Sequence, residues 1–117
     1  MTTTLILEAT AGDLEGKRFR FTRPSYCVLG RSRMCNLRLP GDATVSRRHC
    51  LLELDADGVW VQDLGSLNGT FVNGDKIGQR EAPRDGDATM VQPGRRGLRD
   101  GDLLRVCNNV FAVRFVQ

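Results

Sequence analysis

Three short clusters carry the side chains best suited to hold an anion: Gly30-Arg31-Ser32, Ser46-Arg47-Arg48-His49 and Gly65-Ser66-Leu67-Asn68-Gly69-Thr70. Arg31 and Arg47 offer planar forks of N–H donors, Ser46 a hydroxyl, and Asn68 an amide that both donates and accepts. This inventory suits a phosphate dianion with peptide backbone beside it. A phosphorylated hydroxyl carries about −1.5 to −2 charges and three acceptor oxygens, which a guanidinium can meet two at a time. Two or three charge-assisted bonds of about 1.5–3 kcal/mol each, together with backbone contacts, would support a micromolar site, about −8 kcal/mol. Taken singly the clusters are ordinary: Ser46 reads equally as a turn or capping hydroxyl, and Asn68-Gly69 as a turn. Their order along the chain, each at the margin of an extended segment, points to a shared site.

The elements that must bring them together are strands. The apolar stretches are short, rich in Val, Leu and Phe and separated by turn residues, and none reads as a long helix. Extended segments are expected over Thr4 to Ala9, Lys17 to Phe21, Tyr26 to Leu29, Leu37 to Leu39 and His49 to Leu54. Others are expected over Val59 to Asp63, Thr70 to Val72, Lys76 to Ile77, Leu103 to Cys107 and Val110 to Val116, the last nearly continuous and so assigned to the core. Asp57-Gly58 and Asn73-Gly74 are hairpin signals, because both residue types tolerate the positive φ of tight turns. Asn108-Asn109 is expected to turn the last hairpin, and Asn73-Gly74 to make a hairpin and nothing else. Many short strands at turn-punctuated spacing predict an all-β sandwich, in which loops at one end gather in space. Gly78 to Gly97 holds Pro83, Pro93 and mixed charges, and is expected as a long inserted surface loop. In it Asp85-Gly86-Asp87 reads as a turn, like Asp100-Gly101-Asp102 ahead of Leu103.

Composition limits the alternatives. A chain of 117 residues fits a single domain over 1–117, large enough to bury a core without disulfides. Its formal charge of +3 does not demand a polyanionic partner. No apolar run reaches the roughly 20 residues of a membrane span, and the start lacks a secretory layout; a cytoplasmic protein without membrane insertion is expected. Cys27, Cys35, Cys50 and Cys107 form no C-x-x-C pair and have only His49 to join them, so no metal site or other cofactor is expected and the thiols read as reduced, mostly core residues. Cys50 beside His49 does not make a nucleophile pair, since neighbours on a strand face opposite ways. One histidine and no nucleophile elbow argue against an enzyme.

The run Gly30-Arg31, Ser46-Arg47-Arg48-His49 and Asp63-Leu64-Gly65-Ser66-Leu67-Asn68-Gly69-Thr70-Phe71-Val72-Asn73-Gly74, followed by Leu98-Arg99-Asp100-Gly101-Asp102-Leu103-Leu104, resembles a forkhead-associated (FHA) domain. The resemblance spans the chain apart from Gly78 to Gly97. It implies an eleven-stranded β-sandwich whose loops at one end read phosphothreonine peptides, a recognised mode of phospho-motif binding. By position, it implies that Arg31 and Ser46 contact the phosphate and that Arg47 adds charge or holds backbone. It implies that Asn68 bonds the peptide main chain, that His49 braces the binding loop, and that Gly30 and Gly69 supply backbone freedom. Many members carry threonine where this chain has Leu67. One lost neutral hydrogen bond costs about 0.5–1.5 kcal/mol, and Ser66 is a candidate to replace it in part.

The reading is therefore a non-catalytic, phosphothreonine-binding adaptor, of bacterial type by composition, acting downstream of a serine/threonine kinase. Its partner would be that kinase or its substrate. Two alternatives remain as binding functions. In one, the sandwich is a phosphate-independent interaction or dimerisation scaffold, which Leu67 favours. In the other, Arg47, Arg48 and the loop residues Arg80, Arg84, Arg95 and Arg96 bind nucleic acid. The lone Tyr26 and lone Trp60 offer few stacking platforms for the latter, and no nucleic-acid partner is expected.

Overall fold

The computed structural model describes residues 4–22, 24–80 and 94–116. These form eleven strands and no helix: β1 (Thr4–Ala11), β2 (Arg18–Thr22), β3 (Ser25–Gly30), β4 (Leu37–Arg38), β5 (Cys50–Leu54), β6 (Val59–Asp63), β7 (Thr70–Val72), β8 (Asp75–Gly78), β9 (Arg96–Leu98), β10 (Leu103–Val106) and β11 (Asn109–Val116). A six-stranded sheet runs β2-β1-β11-β10-β7-β8, and a five-stranded sheet β4-β3-β5-β6-β9. All neighbours are antiparallel except β3 and β4.

Alternation along each strand builds the interior. Leu5, Leu7 and Ala9 of β1 join Phe111, Val113, Leu104 and Val106 from one sheet. They pack on Cys27, Leu29, Cys50, Leu52, Leu54 and Val61 from the other, while Leu37, Leu39 and Val45 close the interior beneath the loops at one end. The burial of β5 and β6 alternates strictly, as period-two side chains require. β11 departs from its apolar look. Phe111 and Val113 are buried, but Val110 and Ala112 face outward and Val116 is exposed, because only one face of this strand meets the opposite sheet.

The expected loop is shorter at both ends. Gly78 completes β8, while Arg96 and Gly97 belong to β9, which pairs with β6 at Val61↔Arg96 and Val59↔Leu98. That strand has little apolar pattern of its own. Gly97 lies opposite Trp60, whose indole covers the glycine, and the Arg95 guanidinium stacks 4.6 Å from the indole centre. Pro83, Arg84, Asp85-Gly86-Asp87 and Pro93 lie outside the described residues.

Turn chemistry decides which residues leave the sheets. Asn73 and Gly74 both take positive φ, as a type I′ hairpin requires. Asn73 also does more than turn the chain. Its Nδ2 donates to Asp102 at 2.9 Å and its Oδ1 accepts the Leu103 N–H at 2.9 Å, tying β7–β8 to the start of β10. The last hairpin turns one residue earlier than Asn108-Asn109. Cys107 takes the positive φ, Val106 pairs with Asn109, and Asn109 is buried with its amide bonded to Val106 O and Asp42. Asp100-Gly101-Asp102 turns directly into β10, with Gly101 at positive φ.

Candidate functional site

Strand direction sends the β3–β4 loop, the β4–β5 loop and the β6–β7 loop to one pole of the sandwich. There a hollow of about 420 Å³ is lined by side chains from all three, among them Arg31, Ser46, Arg47, Arg48, Leu67 and Asn68. Among the described residues no carboxylate lines it. The ion pairs of the described residues engage Arg18, Arg95 and Arg96, all elsewhere. The hollow is therefore a concentration of positive charge in a concave surface, which focuses potential on an approaching anion.

The guanidinium of Arg31 is held in place rather than left to sweep solvent. Its Nε donates to Val45 O at 3.1 Å, and its backbone N–H donates to Ser46 O at 3.0 Å. One edge of the fork is fixed on the protein while the terminal nitrogens remain for a ligand. Gly30, just before it, does not take positive φ; its glycine requirement is steric. A Cβ there would fall 2.2 Å from Arg47 O, so the close approach of the β3 end to the β4–β5 loop admits no side chain. Gly69 does need backbone freedom, with φ at +90°.

Ser46 accepts the Leu67 N–H on its hydroxyl oxygen at 3.0 Å, which leaves the hydroxyl hydrogen to donate. Asn68 donates from Nδ2 to Thr44 O at 2.7 Å, leaving a second amide hydrogen and Oδ1 for a ligand among the described residues. Arg47 and Arg48 are both exposed and both line the hollow. The chain is irregular here rather than extended, so strand alternation does not choose between them. Leu67 is 62% exposed on the rim. Ser66, by contrast, faces inward. Its hydroxyl donates to Asp63 at 2.5 Å and accepts the Gly69 N–H at 2.9 Å, so it cannot stand in for the hydroxyl that Leu67 lacks.

Two buried side chains set the loops. His49 joins them directly: Nδ1 accepts the Ser46 N–H at 3.1 Å, and Nε2 donates to Gly69 O at 2.8 Å. This arrangement uses the neutral ring with its hydrogen on Nε2. Burial pushes its pKa below the ordinary 6.5, against the upward pull of the Gly69 carbonyl and of Asp63 and Asp42. Asp63, the last residue of β6, accepts four bonds. The N–H groups of Gly65 and Ser66 donate at 2.9 Å each, the Ser66 hydroxyl at 2.5 Å and the Thr70 hydroxyl at 2.6 Å. A second carboxylate, Asp42, is half-buried and bonds Thr44, Asn108 N–H and Asn109, anchoring the β4–β5 loop to the β10–β11 turn.

The His49 geometry gives a pH dependence with a fixed sign. The unfolded chain takes up its imidazole proton near 6.5, whereas the folded chain resists it to lower pH. Folding therefore gains its full contribution from His49 above 6.5 and loses it as pH falls from there toward the folded value. This is the only histidine in the chain. Melting temperature should fall between pH 7.5 and 5.5, and His49→Gln should remove most of that slope while lowering stability at pH 7.5. Identical slopes in the two proteins would assign the effect elsewhere.

Sequence reasoning missed Asp42 and Gln79. Asp42-Ala43-Thr44 carries an Asx-turn signature that could have revealed the first. The second has no local signal. Arg80, which the sequence offers either as a cation extending a basic surface toward an acidic ligand or as a solvated one, lines the hollow. Among the described residues no thiol lines the hollow. Cys27 and Cys50 are buried, Cys27 being pushed up to about 12 and Cys50 higher by desolvation, and all four are free. Cys35 and Cys107 are half-buried beside the loops rather than in the core.

The described residues thus form an eleven-stranded sandwich with an arginine-lined hollow at one loop pole. The family model for the FHA domain matches residues 27–92, and the chain belongs to that family. It is 38% identical over 72 residues to the glycogen accumulation regulator GarA of Mycolicibacterium smegmatis, a match covering 62% of this chain and 44% of that protein. It is 30% identical over 94 residues to the FHA domain-containing protein At4g14490 of Arabidopsis thaliana, covering 80% of this chain and 24% of that one. The chain thus spans less than half the length of either relative. Among solved structures, an FHA domain described for phosphothreonine-dependent interactions superimposes with a TM-score of 0.70 at 30% identity, covering 100% of this chain and 99% of that one.

Proposed function

We propose that this domain binds a phosphothreonine-containing segment of another protein as a non-catalytic adaptor, downstream of a serine/threonine kinase. The observation that carries the reading is the meeting of Arg31, Ser46, Arg47 and Asn68 in one hollow that no carboxylate of the described residues lines. Arg31 presents its terminal nitrogens to the phosphate, Ser46 donates its free hydroxyl hydrogen, and Arg47 adds charge. Asn68, with one N–H and its Oδ1 left over, reads a backbone carbonyl and N–H beside the phosphothreonine. Gly30, His49 and Gly69 support the loops, and Leu67 forms an apolar part of the rim. The phosphothreonine dependence described for the similar FHA structure supports this assignment.

The test is a phosphothreonine peptide library, followed by titration of each hit against its unmodified twin. Hits should bind at about micromolar dissociation constants, about −8 kcal/mol, and at least tenfold more tightly than the twins. Equal affinities would favour a phosphate-independent interaction or dimerisation surface.

A further inference from the structure

The hollow contains a second guanidinium anchored in the manner of Arg31, on a different loop. Arg80 follows β8, and its Nε donates to Gly65 O at 3.1 Å while its backbone N–H donates to Ser66 O at 2.7 Å. Gln79 beside it donates to Leu67 O at 2.6 Å and accepts Lys76 Nζ at 2.8 Å, so this segment clasps the β6–β7 loop from outside. The parallel is close. Arg31 uses Nε on a β4–β5 carbonyl, and Arg80 uses Nε on a β6–β7 carbonyl. Among the described residues neither fork spends its terminal nitrogens on a carboxylate, and both line the same hollow.

One phosphate does not fill that space. At three or four water volumes of about 30 Å³ each, a phosphate occupies a quarter of the roughly 420 Å³ present. The remainder can receive a neighbouring side chain. Among the described residues no carboxylate forms an ion pair with Arg80. A guanidinium fixed through its Nε matches a carboxylate in bidentate geometry, and its fixed position lowers the ordering cost of that bond.

Resting on the phosphothreonine reading, we propose that Arg80 is a specificity-determining residue that selects peptides carrying an aspartate or glutamate beside the phosphothreonine. The phosphate is held from the Arg31 side, and the acidic side chain is held from the Arg80 side. The site would then read two negative groups from one peptide, with Arg80 deciding among peptides that all satisfy the phosphate.

The experiment is a double-mutant cycle. Phosphothreonine peptides with glutamate scanned through the three positions on each side, and their glutamine counterparts, are titrated against wild type, Arg80→Gln and Arg80→Lys. At one position wild type should favour glutamate by about tenfold, and Arg80→Gln should reduce that preference to about twofold or less. Arg80→Lys should retain an intermediate preference, since it keeps the charge and loses the Nε anchor. A preference that survives in Arg80→Gln would place acid recognition on another arginine and overturn the proposal. So would an equal loss for glutamate and glutamine peptides, which marks Arg80 as a phosphate ligand or a loop brace, or a wild type indifferent to glutamate everywhere. Melting temperature of each variant separates brace from ligand. Unphosphorylated versions of the same peptides report on the underlying reading separately: if they bind as tightly as the phosphorylated ones, that reading fails first.

Discussion

Arg31→Ala should weaken phosphopeptide binding by at least about tenfold, a loss of about 1.4 kcal/mol, while the protein melts close to the wild-type temperature. Tenfold is a lower bound, because the guanidinium has two terminal nitrogens to offer and each charge-assisted bond contributes about 1.5–3 kcal/mol. Little stability is at stake. The side chain is exposed, and its one internal bond, Nε to Val45 O, leaves a carbonyl that water can reach once the arginine is gone. Arg31→Lys should not restore the affinity, since an ammonium has neither the fork nor the Nε anchor. Calorimetric titration with a phosphothreonine peptide and a thermal melt check both halves. Normal binding, or an early melt, would contradict the assignment of this residue.

Asp63→Ala should have the opposite signature, a large loss of stability that takes binding with it. The carboxylate is buried and receives four donors, two backbone and two hydroxyl. Removing it strands the Ser66 and Thr70 donors away from water and leaves the half-buried Gly65 N–H without its partner, at about 1–3 kcal/mol for each group left unsatisfied. Partial rescue by water that enters the vacated space keeps the expected total near 4 kcal/mol, at the severe end for a point substitution. In a domain of about 100 residues each kcal/mol moves the melting temperature by about 4–8 °C, so the midpoint should fall by 15 °C or more. Asp63→Asn should lie between, keeping one acceptor oxygen while turning an NH₂ toward two donors. A melting shift below about 5 °C for the alanine variant would show that the network contributes far less than its geometry implies. The pair of variants also separates the two proposed kinds of residue at this pole: Arg31 as a ligand contact, and Asp63 as a brace of the loop that carries Leu67 and Asn68.

How far the sequence reveals this molecule differs from element to element. Segments such as Val59 to Asp63, where apolar and polar residues alternate, and turns such as Asn73-Gly74, where backbone conformation selects the residue type, are readable locally. β9 is not. Arg96-Gly97-Leu98 becomes a strand because β6 offers an open edge and Trp60 covers the glycine, and neither fact is local. The last hairpin shows the same limit. Asn108-Asn109 has better turn chemistry than Cys107-Asn108, yet burial of the Asn109 amide against Asp42 sets the register.

The candidate site divides along similar lines. Arg31, Ser46, Arg47 and Asn68 stand out because charge and amide chemistry at strand margins is visible in one dimension, and the fold brings them to one hollow. Ser66 shows what spacing cannot supply. It neighbours Leu67, but its side chain points into the Asp63 network. Arg80 shows the converse, an arginine in an unpatterned stretch that two backbone carbonyls draw to the rim. Side-chain direction in irregular segments is set by such long-range bonds, which leave no periodicity to read.

The most direct measurement is a backbone amide NMR titration of the domain with a single phosphothreonine peptide and its unphosphorylated twin. The loop-pole account predicts that the phosphorylated peptide shifts resonances in 30–33, 44–49 and 64–69 together along one binding curve, and that the twin leaves them in place. Shifts centred instead on a separate groove that Trp60, Arg96 and Asp102 help to line, or the same shifts with both peptides, would contradict it.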